Sequence, residues 1–355
     1  ASLDQQRGLH ASAQALLAAA QARTQDAAWL ARLRAQRARV ALETNDTDAA
    51  LRLATEALAG LPAPDTRIKA LVVQADVALL QGRLDDATTL QAQIAEVNPA
   101  ASEAVHLACK LAYYGGRFDE VVALMGERVR ELRRQAPGLE LVSALTSLGS
   151  GHDGAGRFEQ GAACHSEAMH LARQLGTRYA EVESALNLLY SLPELGRRDE
   201  AIALGETALA LGDYDATPYL LNNLAVLYFG ADRLDEAAPL YERLAAGAEP
   251  TLRCYAWAKL VAIHTRQGRA DKARAAIEAG LAALPGTQVY GAHAIVLEAV
   301  LLHGDAADVP RTRPWLRDEP LDSQMQQRLA MALARHGLGV EMPPPPHMTG
   351  EIQPN

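Results

Sequence analysis

One four-residue pattern returns along most of the chain at intervals suited to a helical hairpin. It reads Gly82-Arg83-Leu84-Asp85, Gly116-Arg117-Phe118-Asp119, Gly156-Arg157-Phe158-Glu159, Gly196-Arg197-Arg198-Asp199, Asp232-Arg233-Leu234-Asp235 and Gly268-Arg269-Ala270-Asp271. Asn45-Asp46-Thr47-Asp48 is a degenerate first copy, and the starting positions are separated by 37, 34, 40, 40, 36 and 36 residues. A repeat of this length builds a stacked array in which each unit buries its apolar face against the next. Such an array favours binding over catalysis.

Each part of the pattern has a physical reason. The leading Gly or Asn ends one helix where the chain turns through positive φ. The acid three residues later, from Asp48 to Asp271, falls at the start of the next helix, where negative charge suits the exposed N–H groups and the dipole. Five residues after the turn stand Ala50, Ala87, Gly161, Ala201, Ala237 and Ala273, with Val121 larger. Twelve after it stand Ala57, Ala168, Ala208 and Gly280, while Ile94, Arg128 and Leu244 break the rule. Seven before it stand Ala38, Ala75, Cys109, Gly149 and Ala225. Small side chains at these offsets let two antiparallel helices approach closely.

Small residues at these offsets, together with Pro62, Pro99 and Pro285 each 17 residues past the turn, resemble the tetratricopeptide repeat, or TPR. Trp257, eleven residues before Gly268, matches that family's first-helix aromatic. The likeness covers about 25–285. The copies of 40 residues resemble the repeats of bacterial transcription activators of the maltose-activator type. The stretch from Leu221 to Tyr228 resembles kinesin light chain repeats, which share a peptide-reading surface. The resemblance implies an all-α, right-handed α-solenoid of antiparallel hairpins, a TPR-like superhelix. The expected division is an N-terminal helix, cap or truncated repeat over 1–24, seven repeats over 25–286, a degenerate repeat and capping helix over 287–336, and a Pro-rich flexible tail over 337–355.

Composition agrees with an array. Hydrophobic residues make up 49% of the chain and aromatics only 5%, as suits helices packed through Ala and Leu. The net charge of −9 argues against a nucleic-acid groove, which wants a basic face. Apolar runs are broken by charge too soon to span a membrane. No signal peptide opens the chain, and a start at Ala1 reads as a piece of a longer protein. Cys109, Cys164 and Cys254 are widely spaced and odd in number, as expected for buried thiols of a cytoplasmic protein.

Two motifs invite catalytic or cofactor readings. Gly149-Ser150-Gly151-His152-Asp153-Gly154 spells the dinucleotide fingerprint, but it needs a preceding strand, and here the apolar run keeps helical register. The expected consequence is instead a weak helix end, a hinge, because Gly151 and Gly154 each cost a helix about 1 kcal/mol relative to Ala. His152, Cys164, His165 and His170 crowd one repeat, and register lets His152 and His165 face one another. Nothing has the tight ligand spacing of zinc sites. No phosphate loop and no nucleophile–base set stand out. The segment is therefore expected to be no enzyme, to hold no cofactor and to bind no metal.

A polar row is the stronger signal. Nine residues before each turn, a first-helix side chain points to the inner face: Gln36, Val73, Leu107, Ser147, Asn187, Asn223 and Lys259. The last four are polar in succession, and Tyr190, Tyr219, Asn222 and Tyr255 lie around them at helical spacing. An Asn amide both donates to and accepts from a peptide backbone, and tyrosine rings hold apolar side chains. The expected ligand groove is thus Ser147, Asn187, Tyr190, Tyr219, Asn222, Asn223, Tyr255 and Lys259. A second patch, Arg32, Arg39, Lys69, Lys110 and Arg117, lies near Glu43, Asp76 and Glu103 and reads as solvated charge.

The sequence therefore points to a recognition module: the sensor or interaction region of a larger bacterial cytoplasmic transcription regulator. Its expected partner is a protein or peptide, with no nucleic acid, no membrane, and self-association allowed. The alternatives are a scaffold that assembles a complex, and an accessory domain of an enzyme whose catalytic part lies elsewhere. A P-loop or helix-turn-helix domain in the full gene would favour the regulator. Far-ultraviolet circular dichroism should be dominated by helix; measurable sheet content would overturn the repeat assignment.

Overall fold

A computed structural model describes residues 10–44, 46–60, 62–98, 101–212, 217–247, 249–287, 290–317, 321 and 323–338. Among these the regular structure is helical throughout. The chain divides into two compact units, 1–217 and 218–355.

The first unit begins with α1 (His10–Gln21) and continues as five hairpins. These are α2 (Ala27–Glu43) with α3 (Thr47–Ala59), α4 (Pro64–Leu80) with α5 (Leu84–Val97), and α6 (Ser102–Tyr114) with α7 (Phe118–Leu132). Then come α8 (Leu139–Gly154) with α9 (Phe158–Gln174), and α10 (Arg178–Glu194) with α11 (Arg198–Leu209). The second unit holds α12 (Thr217–Gly230) with α13 (Leu234–Ala245), and α14 (Pro250–Arg266) with α15 (Ala270–Ala283). It then runs through α16 (Tyr290–His303), the short α17 (Val309–Thr312) and α18 (Ser323–Ala334). The Pro-rich tail expected over 337–355 lies outside the described residues from 339 onward.

The turns form as the tetrads require. Gly82, Gly116, Gly156, Gly196 and Gly268 all sit at φ between 67 and 72°, and Asp232 takes the same place at φ 60°. Each following acid falls in the first turn of its helix: Asp48, Asp85, Asp119, Glu159, Asp199, Asp235 and Asp271. The tetrad arginine folds forward in four copies. Arg83 pairs with Asp86, Arg117 with Glu120, Arg197 with Glu200 and Arg233 with Glu236. Arg157 and Arg269 instead reach the preceding turn, at Asp119 (2.7 Å) and Asp235 (3.1 Å). These pairs are exposed and each contributes little, about 0–1 kcal/mol.

Burial supplies most of the stabilisation. Ala35, Ala38 and Ala41 of α2 cluster with Ala50, Ala54 and Ala57 of α3, and Val73 and Val77 of α4 close the cluster. Ile68, Leu71, Ala75 and Leu79 of α4 pack with Ala87 and Ile94 of α5 and with Leu107 and Leu111 of α6. Each core is thus shared by one hairpin and the next. Val73 and Leu107, read from the repeat offset as inner-face positions, are each 1% exposed and belong to these cores. The offset places a backbone position, but a slight rotation of the helix decides whether its side chain meets solvent or the neighbouring hairpin.

The glycine fingerprint has a steric explanation. α8 continues through Gly149, Gly151 and Gly154 without a break, so the expected weak end is a place of close packing. A Cβ on Gly149 would stand 2.6 Å from the His165 ring, one on Gly151 2.6 Å from Val121, and one on Gly154 2.4 Å from Phe118. Gly161 faces the same cluster: its Cβ would lie 1.8 Å from Asp153 Oδ1. His165 and His152 take different partners. His165 Nε2 lies 3.1 Å from Asp153 Oδ2, which also accepts the Ser191 hydroxyl at 2.7 Å, while Arg157 Nε donates to His152 Nδ1 at 3.2 Å. The buried Asp153–His165–Ser191 set ties three helices together through groups that have left water and need partners.

Gly161→Ala should therefore destabilise the protein by about 1–3 kcal/mol, since Asp153 is held by two bonds and cannot step aside. Gly126→Ala in α7 is the control. Its nearest neighbour is the flexible Arg130 guanidinium at 3.7 Å, so stability should be unchanged or raised. Thermal unfolding followed by circular dichroism separates the two; equal midpoints would remove the packing explanation.

Candidate functional site

The first helices of the five hairpins in the first unit surround a shared space. Three cavities of about 460, 530 and 370 Å³ open into it. Ser147, near the middle of α8, lines all three. It stands in a stripe of hydroxyls, Ser143, Thr146, Ser147 and Ser150, whose spacing puts them on one helix face. Thr146 and Ser150 donate back to the carbonyls of Val142 (3.0 Å) and Thr146 (3.1 Å). The Ser147 hydroxyl makes no such bond among the described residues and remains available to a ligand.

The first cavity is largely apolar. Leu79 and Leu80 of α4, Cys109, Tyr113 and Tyr114 of α6, and Val121 of α7 form its wall. Leu80, Tyr113 and Tyr114 are 53%, 41% and 51% exposed, a large apolar surface left open to water. The Tyr113 ring meets Tyr114 and Phe118 edge-on at 6.0 and 5.5 Å. Burial, helped by Tyr190, raises the Tyr113 phenol above its usual range. Burial also pushes the Cys109 thiol up to about 11 against the pull of Lys110, so the thiol is neutral at pH 7 and a poor nucleophile.

Ion pairs form the rim where the cavities meet. Arg39 Nε donates to Glu43 at 2.8 Å and its Nη1 to Asp76 at 3.1 Å, and Lys110 reaches the other Asp76 oxygen at 2.6 Å. Burial works against the Arg39 cation, but Glu43 and Asp76 together hold its pKa above the ordinary value. The ring wall closes on the far side. His10 of α1 stands 3.2 Å from Glu43 and meets the Tyr179 ring of α10 edge-on at 6.0 Å. Glu183, one turn beyond Tyr179, accepts a hydrogen bond from that tyrosine. Desolvation in this recess, reinforced by Glu43, raises the Glu183 carboxyl above its ordinary value despite the Tyr179 bond and the nearby His10 and Arg39 charges.

The sequence-derived groove residues fall in both units. In the first, Ser147 is the junction just described. Asn187 donates its amide to the Glu183 carbonyl at 3.1 Å, and Tyr190 is 58% exposed with its ring against Phe158 at 6.2 Å. In the second, Tyr219 is 46% exposed, and the Asn222 amide donates to Asn223 Oδ1 at 3.4 Å. Tyr255 is half-buried. Lys259 lies over the Phe229 ring at 5.1 Å; burial and Arg328 lower its pKa while Glu298 opposes them. Arg328 itself forks onto Glu298 at 2.9 and 2.6 Å.

Of the second patch, Arg39, Lys69 and Lys110 line the cavities together with Glu43, Asp76 and Glu103, so these charges enclose a groove rather than cover a solvated face. Arg32 and Arg117 stay outside, over Trp29 and on Glu120. Sequence reasoning missed Tyr113, Tyr114, Tyr179 and Glu183. The adjacent tyrosines and the hydroxyl stripe were the available signals.

No protein-family model matches the chain, and no curated protein matches it. Solved structures do. RapI in its apo form aligns over 86% of this chain and 87% of its own, at TM-score 0.58 and 9% identity. The apo form of the quorum sensor NprR from B. thuringiensis covers 85% and 91%, at 0.56 and 12%. A Rap protein complexed with Competence and Sporulation Factor covers 86% and 89%, at 0.55 and 12%.

The fold is TPR-like.

Among the described residues of this TPR-like array, no group of three or more His, Cys, Asp or Glu side chains is placed to hold a metal ion. Among the described residues, no helix is long and apolar enough to cross a membrane.

The Glu183 shift has a testable sign. A carboxyl whose folded pKa is raised binds its proton more tightly in the folded state. It therefore contributes no penalty well below pH 4.5 and a full penalty once the pH exceeds the raised value. Glu183→Gln should match or exceed the parent's unfolding midpoint at pH 7, with the gain fading below about pH 4. A midpoint lower than the parent's at pH 7 would show that Glu183 is fully compensated by cations.

Proposed function

We propose that the first unit captures a peptide, or an extended segment of a partner protein, in the space around Ser147. The observation that carries this reading is the convergence of three cavities on one free hydroxyl, walled by exposed tyrosines on one side and by ion pairs on the other. Pockets of this size with a few placed polar groups on an apolar wall are the usual form of a ligand site. Asn187 and Tyr190, on α10 and outside the lining of the three cavities, would take part of the peptide backbone and an apolar side chain.

In this reading the chain is a recognition module and the sensor region of a larger bacterial cytoplasmic regulator. The fold shared with a quorum sensor, and with a Rap protein held in complex with Competence and Sporulation Factor, supports a signalling role. The longer 40-residue copies support a transcription activator of the maltose-activator type as the form of that regulator. Tyr219, Asn222, Asn223, Tyr255 and Lys259, in the second unit, would form a separate contact surface for a protein or peptide. A plain scaffold would need no enclosed junction such as the one at Ser147.

The direct test uses random peptides displayed against the full chain, followed by synthesis of those enriched. Ser147→Trp should weaken their binding by about tenfold or more, equivalent to about 1.4 kcal/mol, with the helical spectrum intact. Asn187→Ala should also weaken them while folding normally. Unaltered binding by Ser147→Trp would move the site off this face.

A further inference from the structure

The charges around the groove are segregated. Glu43, Glu140 and Glu183 line the second cavity, and no lysine or arginine lines it. Arg39, Lys69 and Lys110 line the third, against Glu103 alone. The two cavities meet at Ser143 and Ser147, so a ligand crossing the hydroxyl stripe passes from an acidic recess to a basic one.

The internal pairing leaves charge over in both recesses. In the basic one, Asp76 is a single carboxylate shared by Arg39 and Lys110, and Lys69 has no ion pair among the described residues. Glu103 takes only the Ser102 hydroxyl at 3.2 Å. In the acidic one, Arg128 holds Glu140 from outside, and Arg39 and His10 share Glu43. Glu183 has no ion pair among the described residues and faces Glu43. A carboxylate in a desolvated recess beside a like charge gains most from a cation brought in by a ligand.

We infer that the groove reads a dipolar peptide in one orientation, with a lysine or arginine side chain in the recess of Glu183 and Glu43 and a carboxylate in the recess of Lys69 and Lys110. The inference rests on the peptide-capture reading and adds polarity to it. An apolar or aromatic side chain between the two charges lies in the cavity of Leu80, Tyr113 and Tyr114. Charge arrangement of this kind sets register and rejects wrong partners more than it raises raw affinity. The reversed peptide meets like charge at both ends.

The test is fluorescence anisotropy on the full chain with five pools of synthetic octapeptides, acetylated and amidated so that only side chains carry charge. All share a central leucine or tyrosine. Two pools carry a basic and an acidic end in opposite orders; the others are neutral, wholly basic and wholly acidic. One dipolar order should bind about tenfold or more tightly than the other and than the neutral pool, as expected where like charges oppose the wrong orientation. The double variant Lys69→Glu/Glu183→Lys should reverse that preference, a gain that misfolding cannot produce. Glu183→Gln, which keeps the hydrogen bond from Tyr179, should by itself reduce the preference. Equal binding of the neutral and dipolar pools, a preference unchanged in these variants, or tightest binding of a single-sign pool would overturn the inference. If all pools bind equally and Ser147→Trp abolishes binding, capture stands and polarity falls. If no pool binds, both fall.

Discussion

The two helices of most hairpins come close because a small residue, usually alanine or glycine, stands where they cross, and everything above that level depends on the approach. Ala38 and Ala50 are fully buried in one hairpin, Ala75 and Ala87 in the next. With side chains this small, the remaining Leu, Ile and Val of each hairpin can reach across to the next hairpin as well as to one another. The cores therefore run from hairpin to hairpin, and the polar rows between them are carried to one side. Where Ile94 or Leu244 replaces a small residue, it too is buried, so the rule is one of total volume rather than of identity.

A consequence is that polar chemistry is pushed into two distinct environments. Buried between helices, Asp153, His165 and Ser191 are linked through Asp153 Oδ2, while Asp153 Oδ1 and His165 Nδ1 have no partner among the described residues. The glycines around them exist for the sake of that packing. A Ser, a His and an Asp in one cluster thus look like a hydrolytic set in composition and behave as a structural tie. On the inner side, by contrast, Arg39, Glu43 and Lys110 border open space and stay partly wet around the buried Asp76. Ion pairs in such a place contribute modestly to stability but shape the field that a ligand meets.

In the proposed reading, the inner space of the first unit would act as a recognition surface built from ordinary parts. A hydroxyl stripe can bond a passing backbone, tyrosines can take an apolar side chain, and segregated charge can set direction. None of these requires a catalytic group, and the one thiol in the wall is held neutral. The fold shared at 9–12% identity with RapI, NprR and a Rap protein is accordingly a likeness of architecture.

Sequence alone determined the hairpins, because their causes are local. A turn residue at positive φ, an acid in the next first turn and small residues at fixed offsets act within one repeat, and they placed every helix start after a tetrad. The same offset logic named Ser147, which lines the three cavities, and placed Asn187 and Asn223 on first helices. It failed at Val73, whose side chain is buried in the core of α2, α3 and α4, whereas Leu107 belongs to a core and also lines the third cavity. It also could not pair Glu43 with Glu183, or His10 with Tyr179. Those residues lie several repeats apart, and only the accumulated rotation of one hairpin on the next brings them together. Sequence period defines the unit; the angle between units, a product of tertiary packing, decides which distant residues share a groove.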